Sequence, residues 1–208
     1  MYLNVQGLIL RVSPYNETDA MLTVITKDHG LLSVKARGLR RKNSPLIAPC
    51  QLLAYTDFVL FENRGFYTIN EANLLDIFDG LRKDLLKLSL GTYFAQVTEV
   101  ISQEDIPNPE LLATLLNCLY VLANRDISLS MVKAIVELRV ACIAGYTPDL
   151  SDCSCGGAGE LFDVSEGCVI CRKCASNIES GIRMPINPSG LEAMRYISSC
   201  ESKRLFSF

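Results

Sequence analysis

Five cysteines fall within 22 residues of this 208-residue chain: Cys153, Cys155, Cys168, Cys171 and Cys174. They include two close pairs, Cys153-Ser154-Cys155 and Cys171-Arg172-Lys173-Cys174, with 15 residues between their inner edges. Each pair can turn so that its sulfurs converge, and four thiolates at about 2.3 Å satisfy a tetrahedral zinc ion. Cys171-x-x-Cys174 has the usual knuckle spacing. Cys153-x-Cys155 is one residue shorter, and Cys168 and Asp152 compete for the fourth position. No histidine is nearby. Four protein ligands leave no open position for a substrate, so one structural zinc ion is expected, stabilising a small subdomain. An iron–sulfur cluster or a redox pair at Cys171 and Cys174 uses the same residues.

A second constellation is basic. Between Asp28 and Asp57 there is no acidic residue, while Lys35, Arg37, Arg40, Arg41 and Lys42 all lie there. Lys35 and Arg37 alternate with Val34 and Ala36 at the end of an apparent strand, so they face away from the core. Arg40, Arg41 and Lys42 continue in the loop that leaves it. Cations on a strand and its adjoining loop can follow a phosphate backbone, and arginine grips phosphate bidentately. An ordinary solvated strand edge has the same composition. Tyr15, Tyr55 and Phe66 are equally compatible with stacking on bases and with packing in a sheet. His29 reads as a turn residue, and the sequon Asn16-Glu17-Thr18 has no meaning in a cytosolic protein.

Other chemistry is disfavoured. With one histidine and no tryptophan in the chain, a histidine-based triad would have to use His29. There is no Gly-x-x-x-x-Gly-Lys phosphate loop. Net charge is −3, which excludes a globally basic nucleic-acid binder but not a local patch. Apolar residues at 49% and charged residues at 21% fit an ordinary globular protein. No apolar run reaches the roughly 18 residues of a membrane span. The start, Met1-Tyr2-Leu3-Asn4, is unlike a signal peptide. A cytoplasmic protein with reduced thiols is expected.

The elements that must position these residues follow from periodicity. Residues 1–75 read as five short strands with turns at Asp28-His29-Gly30 and Asn63-Arg64-Gly65, which suggests a small closed barrel. Residues 76–146 read as helices. Leu81, Leu85, Leu88, Tyr93, Val97 and Val100 recur at helical spacing. Asn108-Pro109 opens a second helix. Ser128 or Ser130 opens a third, which ends before Gly145 and Pro148. Its apolar positions cover most of its circumference, so neighbours must bury it. Residues 150–182 are the cysteine segment, with glycines for tight turns. Ser189-Gly190-Leu191-Glu192 has capping-box spacing for a final helix.

A barrel, a helical middle and a four-cysteine segment, in that order, resemble the bacterial recombination mediator RecO family. The matching residues span the chain. They are Gly7-Leu8-Ile9-Leu10, Asn16-Glu17-Thr18-Asp19, His29-Gly30-Leu31, Lys35-Ala36-Arg37-Gly38-Leu39-Arg40-Arg41 with Ser44, and Pro49. Further along come Phe94, Glu137-Leu138-Arg139, Gly145-Tyr146-Thr147-Pro148, Cys155-Gly156, Phe162, Cys171-x-x-Cys174, Pro185 and Leu205-Phe206-Ser207-Phe208. Asp152 stands where the family has its first cysteine.

The resemblance implies an α+β multidomain protein: an N-terminal OB-fold β-barrel followed by an all-α domain carrying a four-cysteine zinc-finger-like segment. The expected divisions are the barrel at 1–78, helices at 79–149, the zinc segment at 150–182 and a C-terminal helical part at 183–208 returning to the helical domain. The two close pairs make Cys153, Cys155, Cys171 and Cys174 the expected zinc ligands of that segment. Lys35, Arg37, Arg40, Arg41 and Lys42 would bind single- and double-stranded DNA. The implied activity is strand annealing and, with RecR, loading of RecA onto strands coated by single-strand binding protein, without enzymatic catalysis. Family members usually continue past Phe208 with a further helix. Its absence would leave a groove at Val136, Val140 and Ile143, beside Lys133 and Arg139, for the acidic tail of single-strand binding protein. The alternatives are a cytosolic thiol- or metal-dependent oxidoreductase and an RNA-binding OB/zinc protein.

Overall fold

Alternation of buried and outward residues along the barrel strands drives the N-terminal architecture. On the strand Tyr55–Asn63, Thr56, Phe58 and Leu60 are buried, while Asp57, Val59 and Phe61 face outward. The computed structural model describes residues 1–178 and 180–207. Glu179 and Phe208, the latter the last residue of the C-terminal aromatic motif, lie outside the described residues. The chain divides into two compact units, Met1–Val136 and Glu137–Phe208.

The first unit begins with five strands: β1 (Tyr2–Pro14), β2 (Ala20–Thr26), β3 (Leu31–Ala36), β4 (Tyr55–Asn63) and β5 (Phe66–Asp76). They close in the order β1-β2-β3-β5-β4, with β1 pairing back onto β4. Only β3 and β5 run parallel. This is the five-stranded Greek-key barrel of the OB type. Val5, Ile9, Leu22, Val24, Val34, Phe58 and Leu60 fill it. The β4–β5 hairpin turns through Arg64 and Gly65, both at positive φ (53° and 79°), as a two-residue turn matched to strand twist requires. At the β2–β3 turn, Gly30 sits at φ 61°. A Cβ there would lie 2.5 Å from the Ile106 carbonyl oxygen, so only glycine fits.

The strands are longer than the sequence reading suggested, and Leu8, Ile9 and Leu10 are all buried. A register shift between Ile9 and Arg11 breaks the alternation. Leu8 is wholly buried yet stands apart from the barrel core. Helix α2 (Leu85–Ile101) packs on β1, which gives that strand two covered faces.

Three helices follow the barrel: α1 (Asp79–Arg82), α2 and α3 (Pro109–Asn124). Asp84 caps α2 by accepting from the Leu86 and Lys87 amides. Asn108 caps α3, with Pro109 in the first turn as expected. The buried face of α2 differs from the expected one. It is Gly91, Phe94, Ala95 and Thr98, whereas Leu85 and Val100 are exposed. Gly91 lets Leu53 and Leu119 approach closely, and this draws its face inward. Helix α4 (Leu129–Ile143) starts after Ser128 and ends in a Schellman turn. There the Tyr146 amide reaches Ala141, the Gly145 amide reaches Cys142, and Gly145 sits at φ 92°.

The second unit contains a three-stranded sheet that the sequence reading missed: β6 (Leu161–Asp163), β7 (Cys168–Ile170) and β8 (Arg183–Pro185). One-turn helix α5 (Arg172–Ala175), helix α6 (Pro188–Ser199) and a 3-10 turn at Ser202–Arg204 also belong to it. The cap of α6 is Asn187, accepting from the Gly190 amide at 2.6 Å, rather than Ser189. Asn187-Pro188 repeats the Asn108-Pro109 signal. Arg139 fastens the far end of α6 by donating to the carbonyls of Ile197, Ser198 and Cys200 at 3.1, 2.8 and 2.6 Å. Those carbonyls have no helical partner, and a cation at a helix C-terminus is favourable.

Asp19 ties the barrel to its basic loop. Its carboxylate accepts from the Gly38 amide at 2.9 Å, from Asn16 and from Thr18, and pairs with Lys35 at 3.2 Å. The Gly38 amide foremost holds the Asp19 carboxyl well below the usual carboxylate range. Its stabilising contribution is therefore complete above the unfolded value near 3.9 and is lost as pH falls towards the folded one. Asp19→Ala is expected to lower the melting temperature at pH 7. The gap from the parent chain should narrow as pH drops below about 4, measured by thermal melts at both pH values.

Candidate thiolate metal centre and nucleic-acid interface

Tight turns build the cysteine site. The Gly156 amide bonds to the Cys153 carbonyl at 2.7 Å, and Gly156 sits at φ 78°, which folds Cys153 and Cys155 onto the same point. Opposite them, Cys171 caps α5, its sulfur accepting the Cys174 amide at 3.4 Å. The ligand atoms of Cys153, Cys155, Cys171 and Cys174 all lie within 4.8 Å of one another. The Cys155 sulfur is 3.6 Å from that of Cys153 and 3.5 Å from that of Cys171. A tetrahedron with metal–sulfur bonds of about 2.3 Å has edges of about 3.8 Å. The donor set therefore fits one thiophilic ion held by four protein ligands. A Cβ on Gly157 would stand 3.3 Å from the sulfurs of both Cys155 and Cys171, so glycine preserves the space around the cluster.

The competitors are placed elsewhere. Asp152 is directed to Arg195 at 3.4 Å, and Cys168 pairs with Asp163 on the neighbouring strand, outside the tetrad. Backbone amides of Cys155 and Cys171 pull the Cys153 thiol down to about 6. Cys174 is pushed up to about 12 because its thiol is shared with the sulfurs of Cys155, Cys153 and Cys171. A metal ion would take the place of the protons that these sulfurs share.

The basic residues sit on the barrel. Arg37, Arg40, Arg41 and Lys42 are exposed. Arg37, Arg41 and Lys42 have no carboxylate partner among the described residues. Arg40 donates from its backbone to the Thr18 carbonyl and from its side chain to the Asn16 carbonyl, which fixes the loop. Lys35 differs from the expectation. It is paired with Asp19 and lies over the Tyr15 ring at 4.5 Å, so its charge is largely balanced. Sequence reasoning did not assign this role to Asp19. The carboxylate standing just before β2, whose partner strand carries Lys35 next to its last residue, was the available signal.

The proposed docking residues on α4 also differ from expectation. Val136 and Val140 are buried, at 2% and 7% exposure. Arg139 is buried and engaged with the α6 carbonyls. Ile143 is half-buried, and Lys133 is exposed with its ammonium near the Tyr93 ring. A helix apolar around its circumference recruits its own cover, so Val136, Val140 and Arg139 serve packing. His29 lies in the β2–β3 turn, its amide bonded to the Thr26 hydroxyl. No helix among the described residues is long and apolar enough to cross a membrane.

A Greek-key barrel with an anchored cationic loop, followed by helices and a cysteine knuckle, defines an OB-type barrel protein with a four-cysteine module that could hold a metal ion. Two family models together match nearly the whole chain: Recombination protein O N terminal at residues 1–78 and Recombination protein O C terminal at 82–208. The chain belongs to the RecO family of DNA repair proteins. A DNA repair protein RecO of Acetivibrio thermocellus is 31% identical, over 100% of this chain and 83% of the relative. One from Alkaliphilus metalliredigens is 35% identical, over 84% and 72%. One from Bacillus subtilis is 28% identical, over 99% and 80%.

Metal analysis of the purified protein is expected to find one zinc ion per chain. Cys171→Ser, or treatment with a strong chelator, should make the segment 150–182 sensitive to protease while the barrel keeps its structure. Metal-free protein with an unchanged unfolding transition in chelator would show that the cysteines hold their fold unaided.

Proposed function

We propose that the chain is a DNA-binding recombination mediator. It binds single- and double-stranded DNA, anneals complementary strands and, with RecR, helps load RecA onto strands coated by single-strand binding protein. The observation that carries this reading is the loop at Arg37, Arg40, Arg41 and Lys42, held in a fixed shape over the barrel by Asp19 and Asn16. Fixed cations bind phosphate without losing loop entropy on association. Neutralising phosphates on two strands at once lowers their mutual repulsion, which is the physical requirement for annealing. No bond-making step is assigned to any residue.

The cysteine centre has a structural part in this reading, with zinc as the ion. It would hold together a unit whose apolar clusters are small, such as Cys153, Ile170, Cys171 and Ala175. Contact with the acidic tail of single-strand binding protein belongs to the same proposal. Lys133 is an exposed cation for it, whereas Val136, Val140 and Arg139 are not surface residues.

The test is an annealing assay with complementary oligonucleotides, with and without single-strand binding protein. The parent chain should accelerate annealing, and Arg37→Ala/Arg40→Ala/Arg41→Ala should abolish the acceleration. Four phosphate contacts at roughly −0.7 each give a slope of log affinity against log salt of about −3 for single strands. The triple variant should flatten that slope. An unchanged slope would place the DNA elsewhere, and tighter binding of competing RNA at equal salt would favour an RNA-binding protein.

A further inference from the structure

Strand register sets a continuous row of side chains around one face of the barrel. Tyr2 on β1 pairs with Phe61 on β4, Phe61 with Thr68 on β5, Thr68 with Lys35 on β3, and Lys35 with Met21 on β2. Directly paired residues point to the same side of a sheet. The next residues along these strands, Leu60, Ile69, Val34 and Leu22, are buried in the barrel core, so the row lies outside.

The row and its flanks are rich in exposed rings. Tyr2 and Phe61 meet with centroids 5.5 Å apart at 60°. Phe66, at the end of the β4–β5 hairpin, is 77% exposed, and Tyr15 is 60% exposed. A cavity of about 500 Å³ is lined by Tyr15, Lys35, Arg37, Phe61 and Phe66 among others. A second of about 290 Å³ is lined by Tyr2, Arg37, Phe61 and Thr68 among others. Arg37 borders both. These rings are grouped rather than scattered, and a cation with no carboxylate partner among the described residues stands beside them.

We propose that this face is a stacking platform for the bases of single-stranded DNA, with Phe66 and Phe61 as its main rings and Arg37 carrying the phosphate between them. The assignment rests on the DNA-binding reading above and adds a base contact to it. Every base has a π-face, so stacking is indifferent to sequence, and only unpaired strands can offer it. A duplex hides its bases and can reach only the cations. Glu104 also lines the larger cavity, and its carboxylate disfavours phosphate there. The backbone is therefore assigned to the Arg37 side and the bases to the rings. The platform discriminates single strands from duplex, a distinction that the basic loop alone does not make.

The chain contains no tryptophan, so Phe66→Trp in the full chain creates a single reporter at the platform. It is titrated with oligothymidylate, with an abasic oligonucleotide of equal length, and with duplex. Quenching by oligothymidylate but not by the other two is expected. Phe66→Leu keeps an apolar side chain but removes the ring. It should weaken single-strand affinity roughly tenfold, within the range of one stacked base, leaving the salt slope and duplex affinity unchanged. Phe61→Leu is a second, independent variant with the same expected result. Equal quenching by abasic or duplex DNA, or parent-like single-strand affinity in both leucine variants, overturns the platform. If Arg37→Ala/Arg40→Ala/Arg41→Ala still weakens binding in that case, the DNA-binding reading stands without the platform. If it does not, both fall.

Discussion

The N-terminal unit depends on one carboxylate in one place. Asp19 stands at the entrance of β2 and gathers the Gly38 amide, the Asn16 and Thr18 side chains and the Lys35 ammonium. Gly38 lies just past the end of β3, in the middle of the basic stretch, at φ 68°. A run of cations with no acidic residue of its own would repel itself and sample many shapes. A single anion below the loop neutralises the innermost cation and pins the backbone beside the others. Because Lys35 is committed to this anchor, the outward charge is concentrated at Arg37, Arg40, Arg41 and Lys42, of which Arg40 also holds the loop to Asn16. The arrangement separates a structural cation from binding cations within eight residues of sequence, Lys35 to Lys42.

The C-terminal unit solves a different problem by similar means. Its apolar clusters are small, so directional contacts carry more of the organisation. Asp163 accepts the amides of Ser165 and Glu166 and pairs with Arg183 at 3.2 Å, which joins the β6–β7 turn to β8. The Glu166 amide foremost holds its carboxyl below the ordinary range. Arg139 closes the end of α6, and Arg195 reaches from α6 to the Leu150 carbonyl and Asp152. The four sulfurs then draw two distant turns to one point, as a disulfide would in a secreted domain, by chemistry that suits reduced thiols.

Local signals were legible in the sequence, and long-range ones were not. Alternation along β2 to β4 and the Arg64-Gly65 turn were enough to find the barrel. Asn108-Pro109 marked α3, and Gly145 marked the end of α4. The close cysteine pairs identified the tetrad with Cys153 in it, and the structure adds why the competitors stay out: Arg195 claims Asp152, and Cys168 belongs to a strand. Strands β6 to β8 escaped because three residues are too few for a period to register. The face of α2 was misjudged because Leu85 and Val100 fit helical spacing, yet Gly91, which carries no hydrophobic signal, decides which side approaches Leu53 and Leu119. Arg139 looked like a surface cation because nothing local to α4 shows that carbonyls 58 to 61 residues away will claim it. The ring row depends on register between strands distant in the chain, which no single window of sequence contains.

Closure of the barrel by its first strand has a kinetic meaning. Tyr2 finds Phe61 only after most of the barrel sequence has been made, and the parallel β3–β5 pair joins Val34 to Tyr67 across 33 residues. Contacts of such separation incur loop-closure entropy before they return any stabilisation, so barrels of this kind fold more slowly than helical units of equal size. During synthesis the β1 to β3 meander emerges with its edges unsatisfied and its apolar face uncovered, and it waits for β4 and β5 to leave the ribosome. The interval between the two events is when the nascent chain is most exposed to aggregation, and its length is set by residues 37–76: the connection that carries Arg37, Arg40, Arg41 and Lys42, and then the two closing strands.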